Sequence, residues 1–109
     1  MILKPTAPQR EAFSRAAELI ANQAEGLRLT GSQKSQQTLK DYASTLRRLA
    51  ESSSATFDEK EKKEVESSSF VLEGIRDGLL TNELRDRAQA IDADIRVLNE
   101  VVADFNAAS

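Results

Sequence analysis

Along the stretch LRDRAQAIDADIRVLNEVVADF, residues 84–105, the apolar residues Leu84, Ala88, Ile91, Ile95, Leu98, Val102 and Phe105 follow one another at steps of four and three. That spacing lines all seven along one side of a helix. A strand cannot use it, because successive residues of a strand face opposite ways. The stripe must be covered by the rest of the chain, by another copy of it, or by a different protein. Read as heptads, Ala88, Ile95 and Val102 fall at a and Leu84, Ile91, Leu98 and Phe105 at d, with Arg87 at g and Asp92 at e. A homodimer through a parallel coiled coil over 84–105 is therefore one way to cover the stripe. Val97 and Val101 widen it toward the C-terminal end, which suits instead a helix pressed between two neighbours of its own chain.

The rest of the chain supplies those neighbours. After Pro5, Thr6 with Gln9 three residues on makes a capping box, and Phe13, Ala16, Ala17, Ile20, Ala24 and Leu27 keep one face apolar as far as LTGSQ, predicting a helix over 7–30. Ser32 caps a second helix whose stripe is Leu39, Tyr42, Ala43, Leu46, Leu49 and Ala50, although its first turns, QKSQQT, are polar all round. The run Ser52-Ser53-Ser54 ends it. In the next segment Thr56 and Glu59 form a capping box for a third helix with a solvated first half; the alternative is a mobile 52–64 linker and three helices in all. Val65, Val71, Leu72, Ile75 and Leu79 continue the third stripe, and Ser68 on it predicts thin packing. Gly78 reads as its stop, Gly74 as a thin helix contact, and Thr81 with Glu83 as the start of the fourth helix. A connection of so few residues lays the third and fourth helices antiparallel. The expected fold is thus all-α: an antiparallel bundle of four helices over 7–109, preceded by an extended arm at 1–6.

Composition agrees and also limits the chemistry. Only 5% of the 109 residues are aromatic, so the core must come from Leu, Ile, Val and Ala. There is no cysteine and no histidine, which removes thiolate nucleophiles, disulfides, the commonest metal ligands and the commonest general base. Neither metal nor cofactor is expected, and enzymatic work is not expected either. Glu100 and Asp104 lie one turn apart but lack further ligands, while Asp92 and Asp94, two residues apart, point about 200° away from each other on a helix and cannot close on one ion. Tyr42 reads as a core residue with its hydroxyl at the rim. The opening MILKP is far short of a signal-peptide core, and no stretch approaches the roughly 18 apolar residues of a membrane span. The expected location is the cytoplasm, or outside by a route that needs no cleaved signal.

Charge is divided unevenly: residues 1–55 carry eight Lys or Arg and five Asp or Glu, residues 56–109 seven and thirteen, for a net charge of −3 overall. Arg28, Lys34, Lys40, Arg47 and Arg48 make the first half mildly basic, but no reading motif accompanies them, and nucleic-acid binding is only a remote alternative. What remains is a small non-enzymatic protein–protein interaction module, such as an adaptor, a chaperone for a partner protein or an inhibitor of the immunity type, presenting a helical face. The apolar residues left over once each stripe is assigned are Leu19, Leu29, Phe70, Val97 and Val101, and these are the expected partner contacts.

Overall fold

A computed structural model describes residues 1–108. The elements run β1 (Ile2–Leu3), α1 (Ala7–Gly26), α2 (Gln33–Glu51), β2 (Ala55–Thr56), α3 (Glu59–Thr81) and α4 (Arg85–Ala108). The helices pack as two hairpins, α1 with α2 and α3 with α4, into a body of 37 × 32 × 22 Å. The all-α four-helix bundle is the observed architecture.

The first three helices each begin where a side chain satisfies free N–H groups. Thr6 Oγ1 accepts from Gln9 N while Gln9 Oε1 accepts from Thr6 N, and Ser32 Oγ accepts from Ser35 N. The third helix is capped two residues later than Thr56 would place it. Asp58 Oδ1 accepts from Glu61 N at 2.9 Å and Glu61 Oε1 from Asp58 N at 3.1 Å, because Thr56 is already committed to β2 and Phe57 to the core.

The ends depart further from expectation. α1 stops at Gly26 rather than near 30, and a turn follows in which Gly31 N bonds Leu27 O at 2.9 Å. A Cβ on Gly31 would stand 2.8 Å from Leu27 Cδ2, so that turn needs the glycine. α3 runs through Gly78 to Thr81 and closes in a Schellman motif: Leu84 N bonds Leu79 O at 2.9 Å, Glu83 N bonds Leu80 O at 3.0 Å, and Glu83 takes the left-handed conformation at φ 62°. Thr81 does not cap α4; its hydroxyl bonds Asp77 O at 3.0 Å and belongs to the end of α3. Gly74 makes no close helix contact either, since a Cβ there, as at Gly78, would meet nothing within 4 Å.

The arm is more than extended. Ile2 and Leu3 pair antiparallel with Thr56 and Ala55, and Phe57 N bonds Met1 O at 2.8 Å, so the start of α1 is tied to the start of α3. Residues 52–64 thus form the second strand, the capped start of α3 and, through buried Phe57, part of the core. Phe57 meets Phe105 edge to face at 5.6 Å, closing the bundle at that end.

The stripe of α4 is covered by its own chain. Ala88 is buried, and Ile91, Ile95, Leu98 and Val102 join Phe13, Ile20, Leu46, Leu49, Val65 and Leu72 in one core, while Leu84 lies outside the helix and is exposed. A coiled coil through that seam would require the bundle to open. Ser68, where thin packing was expected, is wholly buried with its hydroxyl donated to Glu64 O at 2.7 Å, and Ser69 bonds Asn99 Oδ1 across to α4 at 2.7 Å.

Candidate functional site

Charged side chains rarely lie inside a bundle, yet Asp94 is only 2% exposed. Its carboxylate takes a fork from Arg15 of α1: Nη2 and Nε both reach Oδ1, at 2.9 and 3.1 Å, and Oδ2 has only the longer 3.4 Å contact from Nε. The hydrogen bond to Asp94 raises the pKa of the Arg15 guanidinium above its ordinary value, although the arginine side chain is itself 55% exposed. Two residues earlier Asp92 points to the other side and accepts from Arg76 of α3 at 2.7 Å, a bond that likewise raises the Arg76 pKa. The angle that keeps this acidic pair from sharing an ion lets α4 clasp both flanking helices.

Around Asp94 the helices leave an open groove of about 450 Å³. Its floor is Leu19 of α1, Ile75 and Leu79 of α3, and Ala90 and Ile91 of α4; Arg15, Glu18, Asn22, Arg87 and Asp94 form its sides. Each long wall runs seven residue steps from end to end, Arg15 to Asn22 on α1 and Asp94 back to Arg87 on α4, so the groove is about 10.5 Å long. Glu18 and Arg87 take part in no ion pair among the described residues. A second hollow of about 390 Å³ shares Ile75 and Leu79 and adds Gln23, Val71, Gly74 and Gly78. Both hollows lie in the half of the bundle away from the β ladder. There the first turns of α2, whose side chains are polar and largely exposed, offer nothing to cover the apolar face of α3.

The sequence-predicted contacts are scattered over this body. Leu19 lies in the groove, half-buried. Phe70, 74% exposed, stands one turn before Gly74 on α3 and lines neither hollow. Leu29, 86% exposed, projects from the turn between α1 and α2. Val97 is half-buried against the core, and Val101 is fully buried within it. A partner therefore cannot reach Val101: the breadth of the α4 stripe reflects packing on two sides, not a spare surface. Ile75, Leu79, Arg15 and Asp94, which also line the groove, are not among the predicted contacts. Both apolar residues read as core, and an acid and a base on separate helices carry no joint signal in sequence.

No group of three or more Asp, Glu, His or Cys that could hold a metal occurs among the described residues, and no described helix is long and apolar enough to cross a membrane. Comparison with protein-family models, with curated proteins and with solved structures returns no match.

Proposed function

We propose that this chain is a non-enzymatic binding module that receives an amphipathic helix of another protein in the groove between α1, α3 and α4. The observation that carries the reading is the groove itself, an apolar floor in which Leu19, Ile75 and Leu79 stay partly exposed above buried Ile91, bordered by charges of both signs. A helix laid there would seat leucines spaced by three or four on that floor, each contributing about 2 kcal/mol on full burial. Glu18 on one wall and Arg87 on the other offer complementary charges that set its register. An adaptor, a chaperone for a partner protein or an immunity-type inhibitor all work by such an exchange of contact without chemistry, and in this reading the partner is met in the cytoplasm.

Site-specific photo-crosslinking tests it. A photoreactive residue replacing exposed Ala90 inside the groove should give a discrete adduct in extracts of the native organism, and the same residue at exposed Ser44 on α2 should not. Equal labelling from both positions, or none from Ala90, overturns the proposal.

A further inference from the structure

The acidic corner of the groove specifies more than an apolar helix. Asp94 is the one buried residue among those described that carries a charge, and its counter-charge comes from a side chain over half exposed. A carboxylate can accept about four hydrogen bonds. Both short bonds of Arg15 go to Oδ1, leaving Oδ2 with a single contact at 3.4 Å. Glu18, one turn along α1 from Arg15, adds a second carboxylate without a partner at the same end. Two acids therefore share one base there, while the remaining base of the groove, Arg87, stands about 10.5 Å away at the other end.

We infer that the occupant of the groove carries a guanidinium that reaches Asp94 beside Arg15, with Glu18 as its second acceptor. This rests on the helix-binding reading above and names the chemistry of the partner. An arginine suits the corner better than a lysine, because its planar, weakly hydrated head stacks on the Arg15 guanidinium and forks onto a carboxylate. An acidic residue of the occupant meets Arg87. Residues i and i+7 of a helix are separated by the same rise of about 10.5 Å as the two ends of the groove. The face that fits is therefore acid at i, apolar at i+3 and i+4, and arginine at i+7.

The test isolates the cation from the rest of the helix. The intact protein is titrated with n-butylguanidinium, the side chain of arginine, and with n-butylurea, its uncharged isostere, while the methyl signals of Leu19 and Ile91 are followed by NMR. Butylguanidinium should bind roughly tenfold more tightly than butylurea, as expected for one charged hydrogen-bonded contact. Asp94→Asn should shrink that preference to what Glu18 alone supports, and Arg15→Gln, which removes the resident cation, should enlarge it. Equal affinities for the two probes, a preference undiminished in Asp94→Asn, or one that shrinks in Arg15→Gln would overturn the inference while leaving an apolar groove. Should neither probe move the two methyl signals, the helix-binding reading falls with it.

Discussion

Asp92 and Asp94 stand two residues apart on α4 and grip opposite neighbours, Asp92 taking Arg76 of α3 at 2.7 Å and Asp94 taking Arg15 of α1 at 2.9 Å. The two bridges are not equivalent. Asp92 is 40% exposed in its side chain and shares Arg76 with Asp77, whereas the Asp94 side chain is 3% exposed and has Arg15 alone. Removing Arg15 leaves a buried carboxylate uncompensated, while removing Asp94 leaves an arginine that can turn into water. Arg15→Ala is expected to cost about 2 kcal/mol, the penalty for breaking a buried pair reduced because water reaches the arginine. Asp94→Asn should cost less, and Arg76→Ala less than Arg15→Ala; urea denaturation of the three variants checks the order.

Glu83 occupies, at φ 62°, the position of the Schellman motif that glycine usually fills. The left-handed conformation costs a residue with a Cβ about 1 kcal/mol. Glu83→Gly should therefore raise stability by about that amount, visible as a rise of several degrees in Tm for a domain of this size. Glu83→Val, branched at Cβ, should lower it.

Phe57 and Phe70 are expected to respond oppositely. Phe57→Ala opens a cavity in the core beside Phe105 and should cost about 3–5 kcal/mol in a denaturant titration. Phe70→Ala, on a side chain 74% exposed, should leave the midpoint unchanged and weaken only the capture of a partner.

At Gly74 and Gly78 a methyl group would enter open space inside a helix. Alanine at either position should stabilise α3 by about 0.5–1 kcal/mol, read as a higher midpoint in urea. Because both glycines line the second hollow and not the groove, the same substitutions should leave crosslinking from Ala90 unchanged.

What could be read from the residues alone is what local chemistry dictates. Phe13, Ile20, Leu46 and Leu98 are buried because their 3.6-residue periodicity leaves them no other side to face, and Thr6 and Ser32 cap because their hydroxyls reach the first free N–H groups. The ladder of Ile2–Leu3 with Ala55–Thr56 is two residues long and too short to show an alternation. Asp58 displaces Thr56 as a cap only because that ladder exists. The end of α3 carries no glycine where its motif turns, so Gly78 drew the boundary three residues early. Of the groove, only Leu19 was legible: the site arises where three helices diverge, and Asp94, polar on an apolar helix, reads as solvated until Arg15 is seen beside it.

The β ladder couples the beginnings of α1 and α3, while the opposite tips of those helices have no strand between them. With α3 23 residues long, a pivot of about 5° at the ladder displaces its far tip by about 3 Å. The ladder end is fastened by main-chain bonds and by Phe57, whereas the Leu79 end rests on side-chain packing, so whatever settles in the groove meets the less firmly joined half of the molecule.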